Sequence, residues 1–543
     1  MSEILEKKEE ASGSIIADEW AASSGRAKNR SEPVTTRRAQ IANLRQEYCF
    51  AGDSACISSE TLSLWTRREK PDSNPALALR ILTTMPKFTI GVKPREAILA
   101  AGGALVGAAA FPPLGLWPLS FVSIILFLFL IRDRSGSEAR AVALLYGVVY
   151  ALSTMYWLFN IFGLSAIPLF AIMAAYYGFI ATLIAMTRSQ SAWLRALQIA
   201  LFAVANEWLR GDAWYLRFPW YTAPHAFAAW PMMIAPVRWV GVYGFSFIIW
   251  FIAAYGVHGR RWAWAAIVLF PLCSYLLPAV PVPDRQVVLL QSEETFAIGS
   301  VIESVPAEKA DLAVLPEYAY FYSPEQALNL QDGPRALAKK LNCPVVFGAV
   351  EGTYGEPRFD NVAAVIDARG ELLGTFPKQR PVPLMMDGVP GTRRPVFELD
   401  QGVLGVGICY DFDAPEIAAS LVRNGATVLV APTFDAMSWS KTQHRHHELL
   451  LRLRAVENDR WILRAASSGR SEVVDPHGVP SKAGIEIGET GSTKIAFGYH
   501  HGTTPGGQMY LLGPGAAIAT AVLCVLRMVA YLRRRRLCIS DRE

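Results

Sequence analysis

Charged residues are scarce in this sequence of 543 residues. Asp, Glu, Lys and Arg make up 18% of the chain and hydrophobic residues make up 52%. This composition is too apolar for an ordinary soluble enzyme of this length, and it predicts membrane-spanning segments. The formal net charge is only +5, and the basic excess lies in short clusters. Nucleic acid is therefore not expected as a partner.

Cysteine-pair motifs are also missing. The seven cysteines are scattered without a CxxC pair, which argues against a disulfide framework and against a zinc ribbon. The polar, charged N-terminus lacks the pattern of a cleavable signal peptide. Residues 1–90 have no sustained hydrophobic periodicity, and we expect a polar, disordered cytoplasmic extension there.

Long apolar runs are abundant after this extension. We assign 91–280 to an N-terminal membrane domain of about seven transmembrane helices, 511–532 to a C-terminal transmembrane helix and 533–543 to a basic cytoplasmic tail. The predicted spans are about 97–112, 114–131, 140–160, 164–186, 194–209, 232–257, 262–280 and 511–531. The chain is therefore expected to contain a multi-span α-helical membrane bundle.

Basic residues flank these spans on one side only. In an eight-span arrangement that side carries Lys93, Arg95, Arg132, Arg134, Arg140, Arg188, Arg195, Arg260, Arg261 and the run from Arg533 to Arg536. Because cytoplasmic loops carry the excess of Lys and Arg, both termini are predicted to be cytoplasmic. The large segment 281–510 is then predicted to lie on the opposite side of the membrane.

One outward loop has an unusual composition. Glu207 and Arg210 lie three residues apart at the end of a predicted helix, and the aromatic residue Trp220 follows. One interpretation is an interfacial aromatic belt with a local ion pair. The other is a surface for a lipid headgroup or substrate that faces the outer domain, and the sequence leaves both open.

Segment 281–510 has a different pattern. Its apolar runs are short, as in strands, and alternate with helix-like stretches. The predicted strands are Val287–Leu290, Leu312–Leu315, Val345–Val350, Val362–Ile366, Val403–Ile408 and Val428–Val430, and the predicted helices are 323–341, 414–424 and 442–458. This pattern predicts an α/β domain large enough to bury its own core.

Three chemically distinct side chains follow apolar runs in this domain. Cys409 ends one run, Glu317 follows a second and Lys378 follows a third. A thiol nucleophile needs a base to remove its proton, and the tetrahedral intermediate needs positive charge beside its oxygen. Together these residue types are suited to thioester chemistry at a carbonyl, with Glu317 as general base, Lys378 stabilising the oxyanion and Cys409 as nucleophile.

A histidine-rich stretch could suggest a metal site. It runs from His444 through His446 and His447 to Glu448, but no matching distant ligand set accompanies it. We interpret these histidines as surface or loop-packing residues on a helix beneath the active-site loop. No metal and no cofactor is expected.

The motifs around the three residues resemble known families. Leu-Pro-Glu317, Phe-Pro-Lys378 and Gly-Ile-Cys409-Tyr resemble the Glu–Lys–Cys triad of the nitrilase (carbon–nitrogen hydrolase) superfamily. Glu-Trp-Leu-Arg210, Phe-Pro-Trp220 and Gly-Val-Tyr-Gly-Phe-Ser-Phe247 resemble the apolipoprotein N-acyltransferase family. The resemblance covers about 95–530 and implies a nitrilase-like α-β-β-α sandwich at 281–510.

The resemblance also implies an activity. An acyl chain would pass from a phospholipid, through a Cys409 thioester, to the N-terminal amine of a diacylglyceryl-cysteine lipoprotein. The expected protein is a multi-pass, monomeric inner-membrane enzyme with a periplasmic catalytic domain. Beyond the triad, substrate contacts are expected from Tyr410, Asp387, Asp435, Trp439, Glu207, Arg210 and Trp220.

Some positions depart from the family pattern. Asp387 stands in the run where the family has a second glutamate, and Tyr410-Asp411 replaces Tyr-Glu. The loop Thr433–Trp439 also differs from the family's Asn-Asp-Ala-Trp type. Two alternatives therefore stay open: a membrane-anchored amidase or nitrilase of small amides, and a non-catalytic lipoprotein-binding scaffold or transporter.

Overall fold

The computed structural model describes residues 92–188, 190–294 and 297–540, with side chains described up to residue 533. These residues belong to one compact unit, Thr89–Glu543. The expected polar extension at 1–90 and most of the basic tail lie outside the described side chains.

The first half of the described chain is helical. Its main helices are α1 (Pro94–Ala108), α2 (Pro118–Ile131), α3 (Gly136–Thr154), α4 (Ile167–Ala185), α5 (Ala192–Trp208) and α6 (Val237–His258). Short helical segments occupy Leu158–Phe162, Gly163–Ala166, Leu209–Ala213, Ala223–Phe227, Pro231–Ile234, Arg261–Val268, Leu269–Leu272 and Cys273–Leu276. Alanine, larger aliphatic and aromatic side chains fill the core between these helices.

Three helices are long and apolar enough to cross a membrane, among the residues that the structure describes. They are Leu158–Ala185, Val237–His258 and Gly506–Arg533. Pro118–Ile131 and Arg261–Leu276 are apolar but shorter. Helices therefore occupy the eight predicted spans, but length and hydropathy support crossing for three of them.

The helix ends that carry basic residues lie together. Arg134, after α2, forms an ion pair with Glu96 at the start of α1 (Nη1–Oε1 2.8 Å). Arg132 donates to the carbonyl of Val257 near the end of α6 (3.1 Å). Arg195, at the start of α5, donates to the carbonyl of Arg132 (2.9 Å). The basic helix ends thus lie together at one end of the bundle. The predicted orientation in the membrane depends on these residues.

Two sheets form the second half of the chain. The six-stranded sheet has the order β11-β1-β2-β3-β4-β5, and the five-stranded sheet has the order β10-β9-β8-β7-β6. The strands are β1 (Arg285–Gln291), β2 (Leu312–Val314), β3 (Val345–Glu351), β4 (Asp360–Ile366), β5 (Leu372–Pro377), β6 (Val396–Leu399), β7 (Gly402–Val406), β8 (Val428–Thr433), β9 (Ile462–Ala466), β10 (Glu472–Val474) and β11 (Gly491–Phe497). Apolar residues of both sheets share one core cluster, so the sheets pack face to face.

Helices cover this sandwich and connect its strands. They are α7 (Ile298–Ser304), α8 (Pro324–Leu328), α9 (Pro334–Leu341), α10 (Pro415–Arg423) and α11 (Lys441–Asn458), and α12 (Leu512–Ser540) follows the domain. The predicted helices 414–424 and 442–458 are confirmed. The continuous helix predicted at 323–341 is wrong, because the chain leaves helical geometry after Leu328 and restarts at Pro334. Proline suits the first helical position but not a helix interior.

Candidate active site

Cys409 lies on a tight turn at the end of a strand. β7 ends at Val406, and Cys409 begins a 3₁₀ turn, Cys409–Asp413, with φ of 50°. A non-glycine residue in this left-handed region is strained, and such strain is found at functional positions. Gly407 permits the turn, because a Cβ there would lie 2.8 Å from the ring of Phe412.

Asp411 fixes this turn relative to the neighbouring sheet. Its Oδ2 accepts a hydrogen bond from the backbone N–H of Ile408 (2.9 Å). Its Oδ1 accepts from the N–H groups of Gln379 (3.0 Å) and Arg380 (2.7 Å). The buried Asp411 therefore connects the turn that carries Cys409 to the segment that begins at Lys378. Its role in this structure is to hold the turn in place.

Glu317 approaches the thiol from the other sheet. It follows β2, and only 2% of its surface is exposed. Its Oε1 accepts from the side-chain amide of Asn361 (2.7 Å) and its Oε2 accepts from the N–H of Phe434 (2.8 Å). The Sγ of Cys409 lies 3.7 Å from the carbonyl oxygen of the same Phe434. One peptide segment thus holds both the thiol and the carboxylate.

Lys378 lies between two carboxylates. It follows β5 directly, and its Nζ lies 2.7 Å from Oε1 of Glu317 and 2.6 Å from Oδ2 of Asp387. Asp387 also accepts hydrogen bonds from the hydroxyl of Tyr318 (2.8 Å) and from the amide of Asn361 (3.0 Å). Asp387 was expected to contact substrate, but its observed partners are Lys378 and the groups that surround it.

Burial governs the protonation of these groups. Burial raises the pKa of the Cys409 thiol well above its usual range, and the nearby Glu317 carboxylate raises it further. Burial also raises the pKa of Glu317, although Lys378 opposes this effect. For Lys378 the cost of burial is outweighed by Asp387 and Glu317, which raise its pKa well above normal. The site therefore combines a neutral thiol, a carboxylate of increased basicity and a permanent cation, the groups that acyl transfer through a thioester requires.

Two cavities meet at the thiol. The small pocket encloses about 410 Å³ and is lined by Glu317, Tyr318, Phe321, Tyr354, Lys378, Val382, Met385, Met386, Asp387, Cys409, Phe434 and Trp439. The large cleft encloses about 910 Å³ and extends from Cys409 among apolar bundle residues, including Met155, Leu158, Ile161, Phe162, Leu169, Ile172 and Met173.

Three further predicted residues line the large cleft. Tyr410 donates its hydroxyl to the carbonyl of Arg217 (2.7 Å). Trp439 lines both cavities, and its carbonyl accepts from the side chain of Asn160 (2.9 Å). Asp435 pairs with Arg464 and with His447 (Oδ1–Nδ1 3.0 Å). Burial favours the neutral acid, but the charges of His447 and Arg464 hold the pKa of Asp435 below its ordinary value.

The residues predicted from the outward loop are buried rather than exposed. Glu207 accepts from the N–H of Ala223 (3.1 Å) and from the hydroxyl of Ser246 (2.6 Å). Arg210 lines the large cleft and donates to the backbone carbonyls of Phe218 (3.1 Å) and Trp220. Among the residues that the structure describes, Glu207 and Arg210 form no ion pair with each other, so that part of the belt interpretation is wrong.

Trp220 joins the bundle to the turn that begins at Cys409. Its indole Nε1 donates to Oδ2 of Asp413 (2.6 Å), and its ring lines the large cleft. Asp413 also lies 3.4 Å from Nε2 of His447. The helix Lys441–Asn458 thus brings His447 to the cleft wall, while the Nε2 of His444 contacts the carbonyl of Ala436 (2.9 Å). These two histidines are buried and contact the 433–439 loop, so they agree with the loop-packing interpretation and not with the surface interpretation.

Sequence reasoning missed the residues that surround the triad. Asn361 holds both Glu317 and Asp387, yet it lies at the start of a strand with no motif around it. Phe434 contributes through its backbone, which sequence does not reveal. His447 was predicted as a surface or loop-packing residue, without its contacts to Asp413 and Asp435. Of Asn361, Phe434 and His447, only His447 could have been identified from the sequence, because it is a histidine in a predicted helix that follows the 433–439 loop.

Two family models match this chain. The apolipoprotein N-acyltransferase N-terminal domain matches residues 103–255, and the carbon–nitrogen hydrolase family matches residues 290–494. The apolipoprotein N-acyltransferase of Allorhizobium ampelinum is 25% identical over 461 residues, which are 71% of this chain and 86% of that protein. The protein of the same name from Azotobacter vinelandii is 27% identical over 457 residues, with the same shares of 71% and 86%.

Solved structures also resemble the chain. An amidase from Nesterenkonia is 22% identical, with a TM-score of 0.33, and the match covers 41% of this chain and 94% of that chain. A nitrilase-superfamily protein from Saccharomyces cerevisiae is 23% identical, with a TM-score of 0.33, and the match covers 40% of this chain and 92% of that chain.

The second half of the chain is a carbon–nitrogen hydrolase domain, with two packed sheets and a cysteine on a turn after a strand. A helical N-terminal domain of the acyltransferase type precedes it. The curated relatives share the name apolipoprotein N-acyltransferase, and the matches cover 86–89% of their length. The chain is therefore similar to apolipoprotein N-acyltransferases over 71% of its length.

Proposed function

We propose that this protein transfers a fatty acyl chain from a phospholipid to the N-terminal amine of a diacylglyceryl-cysteine lipoprotein. The observation that carries the proposal is the large apolar cleft that connects the helical bundle with Cys409, beside a buried base and a buried cation. The two family-model matches and the name of the similar curated proteins support lipoprotein N-acylation over the two alternatives, a small-amide hydrolase and a non-catalytic scaffold or transporter.

The first half-reaction forms a thioester. Glu317 takes the proton of Cys409, and the thiolate attacks the ester carbonyl of the phospholipid. The oxygen of the tetrahedral intermediate gains negative charge, which the Lys378 ammonium stabilises. Collapse of the intermediate breaks the C–O bond, and the glycerol oxygen of the departing lysophospholipid receives the proton from Glu317. The Glu317–Lys378 distance of 2.7 Å and their shared burial support these roles.

The large cleft is the proposed site of the acyl chain. Its walls come from bundle residues such as Leu158, Ile161 and Leu169, and it reaches the thiol at Cys409. An acyl chain gains about 0.8 kcal/mol for each methylene that it buries in such surroundings. Arg210, at the same wall, is the proposed partner of the negatively charged phosphate, and Glu207 and Trp220 position the loop that carries it.

The proposed location is the inner membrane, with the catalytic domain in the periplasm and both termini in the cytoplasm. The gathered cationic helix ends around Arg132, Arg134 and Arg195 support this orientation through the positive-inside rule. Both substrates are amphiphiles, so a site connected to the bundle lets them arrive from the bilayer. A monomer is the proposed functional unit, because one chain contributes all of the proposed catalytic residues.

Mass spectrometry of Cys409 tests this proposal directly. The purified protein is incubated with a phospholipid whose acyl chain carries an isotope label, and the peptide containing Cys409 is then examined. We expect a labelled acyl group that hydroxylamine removes, and no such adduct in Cys409→Ala. A labelled protein that then acylates a diacylglyceryl-cysteine peptide completes the reaction. Full acyl transfer by Cys409→Ala would refute the proposal.

A further inference from the structure

The base and the cation face only one of the two cavities that meet at Cys409. Glu317 and Lys378 line the small pocket, whereas the wall of the large cleft near the thiol is formed by Tyr410 and His447. The two cavities share only an edge that includes Val382, Met385 and Trp439 in addition to the thiol. The thiol is therefore accessible from an apolar side and from a side that contains proton-transfer groups.

The mouth of the small pocket is aromatic and open to solvent. Phe321 is 37% exposed and Tyr354 is 42% exposed. Their ring centroids lie 4.7 Å apart, and Phe321 stacks on Tyr318 at 5.5 Å. Met386, at the same pocket, is 67% exposed. Apolar surface of this kind on the catalytic domain, next to buried reactive groups, is typical of a binding site.

We propose that the small pocket binds the peptide part of the acceptor and that Phe321 and Tyr354 contact the residues that follow its lipidated cysteine. This inference rests on the proposed acyl transfer and assigns its second substrate to a separate cavity. After the first half-reaction the acyl chain remains in the large cleft, bonded to the sulfur of Cys409. The free approach to the thioester carbonyl is then from the small pocket.

The chemistry of the second half-reaction supports the same direction of approach. The neutral amine nitrogen attacks the thioester carbonyl, a C–N bond forms and the C–S bond breaks. Glu317 receives the proton that the nitrogen loses and returns it to the sulfur of Cys409, so that the thiol is restored. An amine can reach Glu317 only where the carboxylate is accessible, and Glu317 lines the small pocket.

The edge between the cavities gives a location for the lipid part of the acceptor. Val382 and Met385 line both cavities, and the intervening Leu384 is 57% exposed and lines the large cleft. An acceptor that crosses this edge keeps its diacylglyceryl chains on the apolar side. Its amine then lies at the thiol and its peptide chain extends past Tyr354 to solvent.

Half-reactions measured separately test this assignment. Full-length protein in detergent is first charged with labelled phospholipid and then mixed with a short synthetic diacylglyceryl-cysteine peptide or with hydroxylamine. For Phe321→Ala and Tyr354→Ala we expect the KM for the peptide to rise about tenfold, as expected for loss of an aromatic contact. Thioester formation and its release by hydroxylamine should keep their rates, because neither step uses the aromatic mouth.

Two comparison variants make the result specific. Leu169→Trp places a bulky ring in the large cleft, and we expect it to slow thioester formation, which neither Phe321→Ala nor Tyr354→Ala should do. Leu372→Ala removes an exposed apolar side chain at the far end of β5 from Lys378, and it should alter neither half-reaction.

The outcomes separate the inference from the proposed function. An unchanged peptide KM in both Phe321→Ala and Tyr354→Ala, or an equal loss in the two half-reactions, would overturn the assignment of the small pocket while acyl transfer stands. If the unsubstituted protein forms no thioester with phospholipid, the proposed function itself fails. A photoreactive group on the second residue of the peptide should label Tyr354 and Phe321, and labelling confined to Leu158 or Ile161 would contradict the inference.

Discussion

Lys378 and Asp387 form a buried ion pair, with 2.6 Å between Nζ and Oδ2. The lysine therefore has two carboxylate partners, Asp387 and Glu317, and the thiol of Cys409 lines the same pocket. If Glu317 binds a proton during the reaction, Asp387 still neutralises Lys378. We propose that Asp387 takes the place of the second glutamate that the family pattern contains.

Replacement of the base tests its role in proton transfer. We expect Glu317→Gln to lower the rate of thioester formation by about 10²–10⁴-fold, the usual contribution of general acid–base catalysis. The amide keeps the shape of the side chain and can still contact Asn361. Stopped reactions analysed for acylated Cys409 measure the effect. A variant with unchanged thioester formation would show that another group accepts the proton.

Loss of the second carboxylate should affect both stability and activity. In Asp387→Asn the charge that pairs with Lys378 is removed, and the hydroxyl of Tyr318 loses a charged acceptor. We expect the free energy of unfolding to fall by about 1–3 kcal/mol, the cost of an imperfectly paired buried polar group. Thermal unfolding and acyl transfer are measured beside Asp400→Asn, an exposed acid that should change neither. Equal behaviour of the two variants would contradict a role for Asp387 at the lysine.

The guanidinium of Arg210 is expected to bind the phosphate of the donor. We expect Arg210→Gln to raise the KM for phospholipid about tenfold, because a charge-assisted hydrogen bond contributes about 1.5–3 kcal/mol at best and the glutamine retains part of the polarity. The rate of thioester formation is followed as the phospholipid fraction in mixed micelles increases. Arg217→Gln changes an exposed arginine of the same loop and serves as the comparison. Similar KM values for both variants would remove Arg210 from the donor site.

The buried histidine at the cleft wall makes stability depend on pH. Burial alone would lower the pKa of His447, but the carboxylates of Asp435 and Asp413 raise it above its usual value. Protonated His447 therefore stabilises the fold fully below about pH 6.5, the unfolded value, and this stabilisation is lost as pH rises through the folded pKa.

The neighbouring acid limits the pH window of this test. Burial raises the pKa of Asp413 to about 6, so this acid is mostly ionised above pH 7. Between pH 7 and the folded pKa of His447, we expect the unfolding midpoint of the unsubstituted protein to fall more steeply than that of His447→Gln. Midpoints measured by a thermal scan at several pH values give the comparison. Parallel curves in this window would rule out His447 as the titrating group.

Most of the catalytic domain could be predicted because its central strands are short apolar runs. β1, β3 and β4 begin and end within a few residues of the predicted strands, and the proposed triad was found because Lys378 and Cys409 each follow such a run. The strand β11 was missed, because it pairs with β1 from a position far along the chain and its residues alternate only weakly.

The surroundings of the site were less predictable, for physical reasons. Asp387 pairs with Lys378 because the loop after Lys378 folds back on itself. The hydrophobic pattern of the sequence does not predict the conformation of that loop. The interpretation of Glu207 and Arg210 as a local ion pair was wrong because both side chains form tertiary hydrogen bonds instead. Ala223 and Ser246 donate to the Glu207 carboxylate, and the Arg210 guanidinium donates to backbone carbonyls. Spacing along a helix indicates which groups can meet, but not which partners the rest of the fold offers.

The hydrogen bond between Trp220 and Asp413 has a consequence for any attempt to study the hydrolase domain alone. Residues of the bundle, such as Leu158 and Trp220, form one wall of the large cleft. An excised fragment of residues 281–510 would retain Glu317, Lys378 and Cys409 but would expose the sulfur to bulk water on that side. Water would then hydrolyse an acyl-thioester on Cys409 before an amine could accept the acyl group. The fragment would act only as a slow esterase.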